Sequence, residues 1–133
     1  MIVLLDASVL IPYVDDMHLI HRDAWTALDR LQDETKIATC AITQLALLRY
    51  LMRFRGSLGI DHAIELLSAV TRGPRHLFLK QDVEPAHGRW FGVIGHAQVT
   101  DAYLADIARV NGATLLTADR GMAALHHDVA KLI

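Results

Sequence analysis

The sequence predicts an α/β fold built on a mainly parallel central sheet. Short apolar runs alternate with amphipathic helical segments along most of the chain, and such alternation requires crossover connections between parallel strands. The first run, Ile2-Val3-Leu4-Leu5, is apolar at every position, as expected of a parallel strand covered on both faces. Four polar residues, Asp6, Gln44, Asp101 and Asp119, each follow or stand near the end of a predicted strand. That places them at the carboxyl edge of the sheet, where open parallel sheets bind ligands.

The elements follow in order. After the first strand, Ser8 is placed to cap a brief helix to about Tyr13. Ala24, Trp25, Ala27, Leu28 and Leu31 fall at helical spacing within residues 21–33. Lys36 to Thr39 reads as the second strand. Thr43 then caps a helix to about Arg55, which Gly56 ends. Ile60, Ala63, Ile64, Leu67 and Val70 mark an amphipathic helix over 60–72, closed by Gly73-Pro74. Residues 76–79 alternate weakly and read as a strand. Residues 81–98, with Pro85, Gly88, Gly92 and Gly95, carry no period. Thr100 caps a helix to Val110 that Asn111-Gly112 terminates, and residues 113–117 form the next strand. A short helix near 120–125 leads to an edge strand at 129–133. With no repeat, linker or low-complexity tract, the 133 residues are expected to form one domain, residues 1–133.

Composition narrows the function classes. The apolar fraction of 53% is above the usual range, so much of the chain is expected in a core or at an interface. The opening MIVLLDASVLIPYV is too short, and too interrupted by Asp6 and Pro12, for a membrane span. It also lacks the positive leading segment of a signal peptide. Cys40 is the single cysteine; it cannot form an internal disulfide, which fits a reducing cytoplasm, and its apolar setting predicts packing rather than nucleophilic chemistry. The net charge of −2 argues against a protein that coats nucleic acid. The basic side chains nevertheless gather in the middle, at Arg49, Arg53, Arg55, Arg72, Arg75, Lys80 and Arg89. Such a group is either a solvated face or a guide for a phosphate backbone.

The carboxylates are expected to meet. A helix from Thr100 to Val110 leaves the carboxyl edge over roughly 16 Å at 1.5 Å per residue. The five-residue strand after it returns roughly 17 Å, so Asp119 comes back to the edge where Asp101 began. Asp6 directly follows the first strand, and Gln44 lies in the first turn after the second. Three carboxylates there make a hard oxygen site for a divalent cation, Mg²⁺ or Mn²⁺. Each also has a structural use, since an aspartate at a helix start serves the macrodipole and the free N–H groups. Eight histidines offer a rival chemistry, but His18/His21 and His126-His127 show no zinc spacing. Gly88, Gly92 and Gly95 form no phosphate-binding G-x-x-x-x-G-K loop. A receiver-type phosphotransfer domain is opposed by the lack of paired acidic residues after the first strand.

Five blocks, in order, carry a resemblance. Leu5-Asp6-Ala7-Ser8-Val9-Leu10, Thr39-Cys40-Ala41-Ile42-Thr43-Gln44, Leu48-Arg49, Val99-Thr100-Asp101-Ala102-Tyr103-Leu104 and Thr117-Ala118-Asp119-Arg120-Gly121 resemble the signature blocks of PIN-domain proteins. They look most like the VapC toxins of bacterial toxin–antitoxin pairs. The resemblance implies a three-layer α/β/α PIN-like fold and a Mg²⁺- or Mn²⁺-dependent endoribonuclease, held silent by a VapB-type antitoxin and paired as a homodimer. It implies that Asp6, Asp101 and Asp119 are the acidic ligands, with Ser8 and Thr117 as supporting hydroxyls. Gln44 stands where the family usually has Glu.

In such a site a bound cation would lower the pKa of an attacking water and clamp phosphate oxygens. Arg49 and Arg120 are candidates for contact with RNA phosphates. A glutamine carbonyl can ligate Mg²⁺ but adds no charge and cannot act as a base. Gln44 is therefore expected to weaken metal binding, with Asp15, Asp16 or Asp106 as candidates to compensate. The alternative function is a PIN-fold binding or scaffold module with weakened catalysis. The segment 43–55, apolar almost all round, is expected to serve a homodimer or an antitoxin groove, together with 60–72.

Overall fold

The computed structural model, which describes residues 1–133, has five strands and six α-helices. Their order is β1 (Ile2–Leu5), α1 (Ala7–Val14), α2 (His21–Asp29), β2 (Lys36–Cys40), α3 (Ala41–Phe54), α4 (Gly59–Thr71), β3 (His76–Leu79), α5 (Ala97–Val110), β4 (Thr114–Thr117), α6 (Arg120–Leu125) and β5 (Ala130–Leu132). The strands form one sheet in the order β3-β2-β1-β4-β5, and every pairing is parallel. The sheet is thus wholly parallel.

Successive side chains of a strand point to opposite faces, and this divides the core in two. Val3 and Leu5 of β1, with Leu116 of β4, pack against Val9, Leu10, Ala24, Leu28, Leu47, Leu51, Ala63 and Leu67 from α1 to α4. Leu4, Ala38 and Leu115 point the other way, against Leu104, Ala105, Ile107 and Ala108 of α5 and Met122 of α6. The layers are therefore four helices, a sheet and two helices. Cys40 is a buried free thiol in the second cluster.

The order of strands positions the site. From β1 the chain builds outward through β2 to β3, then returns and adds β4 and β5 on the other side. The direction of winding reverses between β1 and β4, and a crevice opens at their carboxyl ends.

Four local expectations are corrected. Asp6, not Ser8, caps α1, because its carboxylate accepts the Ala7 N–H. Cys40 occupies the cap position of α3, and Thr43 sits in its first turn, where its hydroxyl accepts the Cys40 N–H at 3.1 Å. Helix α5 starts at Ala97, a turn earlier than Thr100, because Gln98 Oε1 accepts the N–H groups of Ile94 and Gly95 and gathers the chain there. Helix α2 stops at Asp29, short of residue 33.

Candidate active site

Asp6 leaves β1 at the crevice. Its N–H donates to the Leu116 carbonyl at 3.0 Å, extending the β1–β4 ladder by one residue. The side chain, only 6% exposed, requires hydrogen-bond partners, and it has three. Oδ1 accepts the Ala7 N–H at 2.8 Å, while Oδ2 accepts from Ser8 Oγ at 2.6 Å and Thr117 Oγ1 at 2.9 Å.

The same two hydroxyls lead to Asp119. Ser8 Oγ accepts the Ala118 N–H at 2.9 Å, and Thr117 Oγ1 accepts the Asp119 N–H at 3.0 Å. Asp119 then caps α6, its Oδ1 accepting the Met122 N–H at 3.0 Å. Its Oδ2 is left free of hydrogen bonds. A β-carbon at Gly121 would lie 3.2 Å from Asp119 Oδ1, so the small residue there leaves room for this cap.

Asp101, one turn into α5, approaches from the other side of the crevice with no hydrogen bond to either oxygen. Burial, and then the charges of Asp6 and Asp119, push its carboxyl up to about 6. At neutral pH the crevice therefore gathers three negative groups that repel one another. Asp101 and Asp119 line a cleft of about 220 Å³ with Ala97, Gln98, Gly121, Met122, Leu125 and His126.

The other sequence-predicted residues lie apart from this network. Gln44 donates from Nε2 to Thr39 Oγ1 at 2.9 Å, and Thr39 Oγ1 lies 2.8 Å from His76 Nε2. Gln44 makes no hydrogen bond to Asp6, Asp101 or Asp119. Arg49 is exposed on α3 without an ion pair. Arg120 lines a different cleft, with Asp23 and Arg30. Of the basic middle, Arg55 is paired with buried Asp15 at 3.1 Å, and Arg75 donates to the Thr35 and Gln32 carbonyls. Those two arginines hold the fold.

No acidic neighbour supplies a carboxylate in place of the Gln44 amide. Asp15 accepts from Tyr50 and Arg55, and Asp106 accepts from Arg109 and the Arg89 N–H. Asp16 is exposed. His18 and His21 serve the structure: His18 Nδ1 accepts the Ile20 N–H, and His21 Nδ1 pairs with the Pro12 carbonyl at 2.6 Å.

His126, which the sequence offered only beside His127 without a zinc spacing, lines the cleft. It is buried, its Nδ1 accepts from Arg109 Nη2 at 3.3 Å, and its Nε2 has no partner. Burial, followed by the Arg109 charge, holds its imidazole below the ordinary value. Nothing in His126-His127 distinguishes the buried ring from its exposed neighbour; only the turn after α6 does.

The donor chemistry of Asp6, Asp101 and Asp119 suits a hard divalent cation, and a cation would offset the burial and the repulsion that raise Asp101. The side chains stand further apart than a closed coordination shell, since no three His, Cys, Asp or Glu side chains converge on one point. Asp101 and the free Oδ2 of Asp119 are the oxygens without protein partners.

Comparison with known proteins identifies the family and the fold. The PIN domain profile matches residues 3–127. The chain is 46% identical to Ribonuclease VapC29 of Mycobacterium tuberculosis over 134 aligned positions, covering all of this chain and 97% of that protein. It is 32% identical to Ribonuclease VapC38 of the same species, over 92% of this chain and 88% of that one. Among solved structures, VapBC2 of Rickettsia felis, bound to a DNA fragment from its promoter, superposes with a TM-score of 0.70 at 15% identity, over 99% of this chain and 98% of that one. VapC20 of Mycobacterium tuberculosis, a sarcin-ricin loop cleaving toxin, superposes with a TM-score of 0.68 at 13% identity, over 92% and 94%. The chain belongs to the PIN-domain family, among the VapC ribonucleases of toxin–antitoxin systems.

Proposed function

We propose that this protein is a Mg²⁺- or Mn²⁺-dependent endoribonuclease toxin that hydrolyses RNA phosphodiesters at the crevice between β1 and β4. The observation that supports the reading is the approach of Asp6, Asp101 and Asp119 to one crevice at the switch point of a parallel sheet, where burial and then the two neighbouring charges push the Asp101 carboxyl up to about 6.

The cation, when bound, would polarise a phosphate oxygen and supply a nucleophilic water at neutral pH. Asp101 and Asp119 would hold it with their free oxygens. Asp6 contributes a fixed charge, immobilised by Ala7, Ser8 and Thr117. Those hydroxyls also hold the chain leading to Asp119, so the two strand ends keep their spacing as substrate enters. Without the cation the three carboxylates repel an RNA backbone, which makes activity strictly metal-dependent.

A VapB-type antitoxin partner is supported by the family and by exposed apolar surface. An apolar groove of about 400 Å³ runs between α2 and α4, lined by Tyr13, Trp25, Leu66 and Val70 among others. Leu45, Met52 and Phe54 of α3 are also exposed, a surface suited to a homodimer. No helix is long and apolar enough to cross a membrane, and the unpaired Cys40 is compatible with the reducing cytoplasm.

The test is to incubate the antitoxin-free protein with total tRNA and Mg²⁺ or Mn²⁺, beside Asp101→Asn. Discrete cuts that disappear with EDTA and in the variant establish the metal ribonuclease. Cuts from Gln44→Glu alone would indicate a chain that retains the fold without the catalysis.

A further inference from the structure

We propose that Phe91 is a base-stacking platform, receiving the nucleobase beside the phosphate that enters the Asp6–Asp101–Asp119 crevice. The proposal rests on the ribonuclease reading and assigns to this one ring a substrate contact, the stacking of a base that is free to splay outward.

The segment between β3 and α5 is firmly built. Buried Asp106 accepts the Arg89 N–H at 2.7 Å, and Trp90 Nε1 donates to the Pro85 carbonyl at 2.9 Å. The Tyr103 hydroxyl of α5 donates to the Val83 carbonyl. Trp90-Phe91-Gly92-Val93 then makes a tight turn, with the Val93 N–H on the Trp90 carbonyl at 3.2 Å and Gly92 at φ +80°. That geometry is a type II turn, which requires glycine at its third position. A β-carbon there would also press against Leu125 Cδ1, so any larger residue would displace that side chain.

This turn forms one rim of the catalytic cleft. Leu125, against which Gly92 packs, is a wall of the cleft, and so is Gln98, whose side chain holds the Ile94 and Gly95 N–H groups at 2.7 and 3.2 Å. On a rim fixed at these points, Phe91 is 94% exposed and Ile94 92% exposed. A large ring displayed on an ordered turn costs little further ordering when it is covered.

The nature of the cleft argues for a base as the occupant. A cation held by its carboxylates would take the phosphate and leave the adjoining base to a contact of its own, indifferent to charge. Stacking on an aromatic face is such a contact, open to any base. Ile94, two residues past the turn glycine, extends the apolar rim.

The test uses short single-stranded RNAs, each carrying one 2-aminopurine, with Mg²⁺. Binding is read by fluorescence in the cleavage-blocked Asp101→Asn background, and KM and kcat are read in the native background. Stacking predicts quenching at one position next to the cut, lost in Phe91→Ala and kept in Phe91→Tyr and Phe91→Trp. Phe91→Ala should weaken binding and raise KM by about tenfold, the scale for removing a base-stacking ring, with kcat nearly unchanged. Equal binding, KM and quenching in native and Phe91→Ala proteins would overturn the proposal while leaving the ribonuclease reading intact. So would a Phe91→Ala protein that binds RNA normally but loses its oligomeric state by light scattering, which would give the ring to a protein interface. A native protein that neither binds nor cuts RNA would remove both readings together.

Discussion

The Thr117 hydroxyl donates to Asp6 Oδ2 at 2.9 Å, tying the end of β4 to the end of β1 across the switch point. Because the same oxygen accepts the Asp119 N–H at 3.0 Å, one fully buried side chain sets the relation between carboxylates 113 positions apart in the chain. Thr117→Val keeps the shape and removes both bonds. It should cost about 1–3 kcal/mol, the usual penalty for stranding buried polar groups, and lower RNA cleavage through kcat. Thermal melting and initial rates check this. Adding Ser8→Ala should lower stability by more than the sum of the two single changes, because Asp6 then keeps only the Ala7 N–H. Additive behaviour would show that the hydroxyls act independently.

Asp101 makes stability depend on pH in a defined direction. Its carboxyl is held at about 6 against an ordinary 3.8. Between those values the folded chain retains a proton that the unfolded chain releases, so stability falls as pH rises through that window. Above it the full penalty of the ionised, crowded group stands. In EDTA at about pH 8, Asp101→Asn should therefore melt a few degrees above the native protein, and the gap should close near about pH 4. Adding Mn²⁺ should stabilise the native protein more than the variant. A variant that melts below the native protein at the higher pH would mean the carboxylate is favourably placed without a cation.

The alternating periods made the α/β order legible, and with it the edge shared by Asp6, Asp101 and Asp119, since helix and strand rises alone return the chain to that edge. Helix starts were less legible. Ser8, Thr43 and Thr100 are all sound capping residues, but capping at α1 went to a carboxylate two positions earlier, and α5 starts after His96 with no side-chain cap, the loop before it gathered by Gln98. The rim formed by residues 89–95 was illegible because nothing periodic holds it. Its order comes from contacts distant in sequence, with Asp106 and Leu125. His126 was hidden for the same reason: the partner of its Nδ1 lies on α5.

Gln44 offers a gain-of-function experiment. Its amide nitrogen is committed to Thr39, which also contacts His76. Glutamate at this position could accept from the Thr39 hydroxyl, leaving the His76 nitrogen to donate to Thr39, so the substitution should fold normally. The added negative charge near the sheet edge should tighten Mn²⁺ binding by about tenfold, the scale on which outer groups tune metal sites. Isothermal calorimetry of the native and Gln44→Glu proteins measures the difference directly. Identical affinities would show that position 44 lies outside the metal's electrostatic reach.

Arg109 joins the fold to the rim of the site. Its Nη1 pairs with buried Asp106 at 2.7 Å, while Nε and Nη2 fork onto Asp128 at 2.8 and 2.9 Å, holding the Asp128 carboxyl down at about 2. Asp106 in turn holds the Arg89 N–H at the start of the rim turn. Arg109→Met leaves a buried carboxylate without its cation, a loss of about 3–5 kcal/mol in comparable pairs. Arg109→Lys should recover only part of this, since a single ammonium cannot reproduce the fork. Urea unfolding quantifies both, and Asp106→Asn in the Arg109→Met background should restore stability by removing the stranded charge. The rim turn should loosen along with it, so Arg109→Met should also weaken binding of single-stranded RNA. Unchanged RNA affinity in a destabilised variant would separate the anchoring of the core from the anchoring of the rim.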